Sequence, residues 1–177
     1  MTFVSNRNET NYTFLGLDFG LARMIGSHGF NNPSAIRDRL FSSWNLVLLK
    51  EKRKYDVKKF MGLKNYQILI DWNTNRNLSV PVDGLVINGS YSLSEGDVLD
   101  YIASLPELPM KGMGVTFVVE SFNKIEESAY IWIVVFEIET KKVISIARKN
   151  GRPSGLGIRN YWANAVCRVI KSLDKQL

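Results

Sequence analysis

Cysteine and histidine each occur once in these 177 residues, as Cys167 and His28. A lone cysteine excludes an intrachain disulfide and any cysteine-based zinc cage. A lone histidine means that a Ser-His-Asp or Cys-His set would have to pass through His28, which lies in the flexible stretch Gly26-Ser27-His28-Gly29. No apolar run approaches the ~20 residues needed to span a bilayer. The longest, Tyr130 to Ile138, is strand-sized. Met1 to Asn11 is polar and lacks an apolar signal core, although a polar arm is also what cleavage would leave behind. Internal repeats, low-complexity tracts and domain linkers are missing too. Hydrophobic residues at 45% and charged residues at 23% exclude the disordered, coiled-coil and collagen-like classes.

What the chain does have is positive charge, net +6, gathered at Lys50 to Lys54, at Lys58-Lys59, at Lys141-Lys142 and at Arg148-Lys149 with Arg152. Such clusters serve nucleic acid or anionic lipid, or simply solvate a helix end and loop tips.

The last third has the clearest pattern. Val115 to Phe122 alternates as a half-buried strand, and Tyr130 to Phe136 is apolar on both faces, as a central strand is. The short polar segment Glu139 to Lys142 permits only a hairpin into a third strand, Val143 to Arg148. A Gly-rich loop then opens a helix with Ile158, Tyr161, Trp162, Ala165, Val166, Val169, Ile170 and Leu173 at helical spacing. Cys167 falls opposite this stripe, which predicts a surface-facing or interface thiol. Upstream, Tyr12 to Phe19 reads as the first strand. Asn32 and Pro33 start a helix running to about Lys50, with Ile36, Leu40, Trp44, Val47 and Leu48 inward. Tyr66 to Trp72 reads as a strand, 73–77 as a polar turn, and Leu78 to Ile87 as an edge or loop broken by Pro81 and Gly84. Ser94 to Asp97 has capping spacing for a short helix that buries Val98, Ile102 and Leu105. Together these predict one α+β domain over residues 12–177, preceded by a flexible arm at 1–11. Its single mixed, largely antiparallel sheet of about five strands carries three helices.

Three motifs invite chemistry. Asp18-Phe19-Gly20 matches the start of a kinase activation segment, but only 17 residues precede it and no Ala-Pro-Glu follows. The same residues resemble a phosphate hairpin of actin-type ATPases, whose second lobe this length cannot supply. Asp18 as a turn cap and Gly20 at positive φ is the simpler reading. The loop Gly151 to Arg159 lacks both the dinucleotide fingerprint and a P-loop lysine. Glycine backbone ahead of a helix can nevertheless bind anions, so Gly155, Gly157, Arg159 and Asn160 are the candidate ligand-binding residues. Glu120, Glu126, Glu127, Glu137 and Glu139 are spaced for strand ends and solvent faces; a carboxylate-based hydrolase is an alternative without spacing support. Catalytic, metal and cofactor residues are assigned to none.

The segment Phe136 to Ile144, the Gly-rich loop and the string Gly157-Ile158-Arg159-Asn160-Tyr161-Trp162-Ala163 resemble the C-terminal signature of small uncharacterised Bacteroidetes envelope proteins. More weakly, the element order is similar to CsgG and TolB N-terminal-like domains. The resemblance implies a non-enzymatic binding or scaffolding domain, periplasmic or envelope-associated, that meets a protein partner or itself. The absence of a signal in this sequence leaves the cytoplasm open. An anion or nucleic-acid binding module is the alternative.

Overall fold

In the computed structural model, which describes residues 10–173, the sheet is built from seven strands. They are β1 (Asn11–Asp18), β2 (Arg23–Ile25), β3 (Asn65–Ile68), β4 (Val86–Ile87), β5 (Met113–Asn123), β6 (Ser128–Glu137) and β7 (Val143–Gly151). β5 is the axis. One of its edges is paired along its length by antiparallel β6, and β7 pairs the far side of β6. The other edge takes β1 against Met113 to Val118 and then β2 against Ser121 to Asn123, both parallel. Residues 11–25 therefore run as one lane interrupted at Phe19 to Ala22. β3 and β4 flank the two halves of that lane, again in parallel.

This overturns the expected largely antiparallel, five-strand sheet with three helices. Among the described residues four of the six pairings are parallel, and five helices longer than one turn surround the sheet. α1 runs without a break through Pro33–Ala35, a π turn at Ile36–Leu40, and Phe41–Lys50. The others are α2 (Val57–Met61), α3 (Asp71–Asn77), α4 (Glu95–Ala103) and α5 (Ile158–Lys171). The short parallel strands β2 and β4 and the helices α2 and α3 are the elements that periodicity did not reveal. They are two to seven residues long, too short for a period to repeat. The arm expected at 1–11 lies, through residue 9, outside the described residues; Asn11 already pairs within β1.

The starts of α1 and α4 have a local cause. Asn32 accepts from the Ala35 N–H at 3.0 Å with Pro33 in the first turn, and Ser94 and Asp97 form a reciprocal capping box. The π turn inserts one residue into α1, so that Phe41 is buried while Leu40 is only half-buried. On one sheet face α1, α2 and α5 enclose a core in which Phe19, Phe41, Trp44, Phe122 and Trp162 stack. On the other, α4 and the segment after it cover Leu15, Val118, Trp132, Val134 and Phe136.

Between β3 and β4 no strand pairs the outer edge of the first lane, and side-chain amides take a strand's place. Asn45 Oδ1 accepts from the Leu17 N–H at 2.7 Å, and its Nδ2 donates to the Leu17 carbonyl at 3.0 Å. Asn77 Nδ2 donates to that same carbonyl at 3.0 Å, while its Oδ1 accepts from the Phe19 N–H at 2.8 Å. Asn73 Nδ2 donates to the Gly16 carbonyl and to Thr116 Oγ1. All three asparagines are fully buried, as buried amides are when every polar atom finds a partner. Gly16, at φ 84°, has no room for a Cβ, which would overlap Asn45 Oδ1.

Candidate anion-binding face

The turn between α1 and α2 and the loop between β7 and α5 are a hundred residues apart in sequence, and the fold brings them together. Lys54 Nζ donates to Asn164 Oδ1 at 2.9 Å, and Asn164 Nδ2 donates to the Ser154 carbonyl at 2.7 Å. Cys167 Sγ lies 3.7 Å from the Lys54 carbonyl. A groove of about 310 Å³ lies along this junction, lined by Lys54, Tyr55, Gly155, Leu156, Arg159 and Asn160 among others. A second, of about 450 Å³, opens on the other side of Tyr55, where Lys52, Arg53, Lys58 and Tyr66 line it.

Of the predicted ligand residues, Gly155, Arg159 and Asn160 line the first groove, and Gly157 does not. All four are exposed. Gly155 and Gly157 hold φ of 103° and 78°, a conformation open to glycine. Gly157 is the N-cap of α5 and offers no side-chain cap. Arg159 Nη1 donates to Asn160 Oδ1 at 3.0 Å, and its carbonyl accepts from Trp44 Nε1 at 2.9 Å. The main chain here is thus pinned to the core while residues 155–160 are exposed.

Residues 50–59 carry six cations, Lys50, Lys52, Arg53, Lys54, Lys58 and Lys59, against Glu51 and Asp56. Asp56 spends its carboxylate on the Lys59 N–H as the cap of α2. Among the described residues no ion pair engages Lys50, Lys52, Arg53 or Lys58. Tyr55 is buried between the two grooves. Burial, with help from Cys167 and Glu51 and against the pull of Arg159, pushes its phenol up to about 12.

Three readings of single residues need correction. Cys167 is not surface-facing: it is 4% exposed, because the segment around Lys54 covers the second flank of α5. Gly20 is not at positive φ; its place is dictated by Tyr101, whose hydroxyl a Cβ would overlap. Asp18 does cap that turn, accepting from the Gly20 N–H at 2.9 Å.

Nor is Glu120 on a solvent face. It is fully buried at a bulge in β5. Arg148 grips it through two nitrogens at 3.0 and 2.6 Å, and Trp132 Nε1 donates to it at 2.9 Å. These bonds hold the Arg148 guanidinium above its ordinary pKa against the cost of burial. Asp18 is held in the same manner by Arg76 at 2.8 Å and by the Tyr101 hydroxyl at 2.7 Å. The remaining candidate carboxylates are also engaged, Glu126 by Tyr130, Glu127 by Arg152 and Tyr161, Glu137 by Thr140 and Glu139 by the Gly112 N–H. Each therefore answers to a donor, and none to a second carboxylate. No cluster of three metal-ligating side chains occurs among the described residues.

No protein-family model matches the chain, and no curated protein does. The chemistry of this face has to be read from its own residues.

Proposed function

We propose that the chain is a non-enzymatic binding module whose ligand is a polyanion, engaged by the face where residues 50–59 meet the loop 151–160. One observation carries this reading: the Lys54–Asn164–Ser154 bridge joins the unpaired cations to the glycine loop and leaves two basic grooves on either side of a buried Tyr55. Cations that solvate a helix end need no such junction. Cations meant for a ligand need a fixed frame, and here the Lys54–Asn164 bond and the Trp44 bond to the Arg159 carbonyl supply one. The envelope address suggested by the resemblance is part of the proposal, and fractionation of the source cells tests it.

The test is binding to a fluorescent polyanion across a salt series. Affinity is expected to fall linearly on a log–log plot, and Lys52→Ala with Arg53→Ala and Lys58→Ala is expected to lower that slope by about three. The far-UV spectrum should not change, since these side chains are exposed. Absence of binding at low salt, or a slope indifferent to the triple change, refutes the reading.

A further inference from the structure

Leu156 is 90% exposed, far more than any other large hydrophobic residue among those described. It stands between Gly155 and Gly157, both at positive φ, at the rim of the groove that Lys54 and Arg159 also line. Ile158, the first residue of α5, is exposed as well. An aliphatic side chain held out in water on a pinned loop, at a groove lined by Lys54, Arg159 and Glu51, has no use in phosphate recognition, where it offers neither hydrogen bond nor stacking surface. Nor is there an exposed ring on this face for bases to stack on: Tyr55 is buried, and Phe60 and Tyr66 are half-buried against the core. The combination suits a surface that is anionic outside and apolar beneath.

We infer that the polyanion is an anionic lipid surface. On this inference, which rests on the polyanion reading above, Leu156 enters the acyl boundary while Lys52, Arg53, Lys54 and Arg159 meet headgroup phosphates. The loop is suited to the task because Leu156 is held out in solvent between two glycines at positive φ, and because the Arg159 carbonyl is tied to Trp44 behind it. No helix among the described residues is long and apolar enough to cross a membrane, so the contact is peripheral.

Co-sedimentation with phosphatidylcholine vesicles, with and without phosphatidylglycerol, tests this, with a DNA oligonucleotide as the parallel probe. The expected result is binding to vesicles that contain phosphatidylglycerol and none to phosphatidylcholine alone, weakened about tenfold by Leu156→Ser. The exposed Leu156→Ser change should leave the melting temperature unaltered. In Leu156→Trp, brominated acyl chains should quench the added fluorescence. Vesicle binding indifferent to Leu156→Ser overturns the insertion. Binding to the oligonucleotide but not to vesicles overturns the lipid assignment and leaves the polyanion reading standing. Binding to neither removes both.

Discussion

Removing Asn45 and Asn77, singly and together, tests how the interrupted lane is held. In Asn45→Ala the Leu17 N–H loses its partner, yet the Leu17 carbonyl keeps its bond from Asn77. In Asn77→Ala the Phe19 N–H is orphaned, while the carbonyl keeps its bond from Asn45. Each single change strands one buried donor, a loss of about 1–3 kcal/mol. Only the double variant strips the carbonyl of both donors, adding a further ~1–3 kcal/mol that neither single variant shows. The prediction is therefore a coupling: the double variant should be less stable than the sum of the singles by more than the ~0.5 kcal/mol at which independent sites add. Urea unfolding followed by tryptophan fluorescence gives the three differences, provided that the slopes with urea match. Additive or sub-additive losses would refute the shared-acceptor argument, and would mean that water or backbone movement satisfies Leu17.

Trp162 is 1% exposed and stacks on Phe122 at 4.8 Å; Trp162→Ala should lose about 3–5 kcal/mol by thermal or urea melt, and a variant of native stability would break the packing account. Gly151→Ala should destabilise more than Gly157→Ala on parallel melts, because a Cβ at Gly151 would overlap the Ala165 carbonyl while one at Gly157 meets nothing and bears only a conformational cost of about 1–2 kcal/mol. Tyr55 links the basic face to alkaline stability. Its folded pKa, raised to about 12, lies above the ordinary value of 10.0, so its contribution is intact below pH 10 and is lost as pH rises towards 12. Tyr55→Phe should remove one late phenolate from the absorbance titration and flatten the stability loss in that window; an unchanged titration would contradict the burial argument.

Elements whose apolar residues repeat were legible in the sequence, and elements whose buried residues are polar were not. α5 and β6 announce themselves because burial and hydrophobicity coincide at most inward positions. α3 does the opposite. Its inward residues Asn73 and Asn77 stand four apart as a helix requires, but their polarity made 73–77 read as a turn. Trp72, taken as the end of a strand, stands in that helix and meets Arg76 at 4.5 Å. The burial of Glu120 was equally hidden, since its guanidinium lies 28 residues away. At the candidate face the glycine loop was visible from its composition. Its meeting with Lys54, through Asn164 of α5, 110 residues along the chain, is a property of the parallel topology and leaves no local trace.

That topology also sets the order in which the chain can fold. Leu17 pairs with Phe117, a hundred residues downstream, whereas β5, β6 and β7 need only tight hairpins. Local pairing closes small loops at little entropic cost, and distant pairing closes large ones late. During synthesis the lane of residues 11–25 emerges before β5 and waits for it, with its inner edge unpaired until β5 exists. The asparagines of α1 and α3 emerge in that interval, before β5. Because they bond the outer edge of the lane and leave the inner edge open, they can hold that strand straight and single until its true partner arrives.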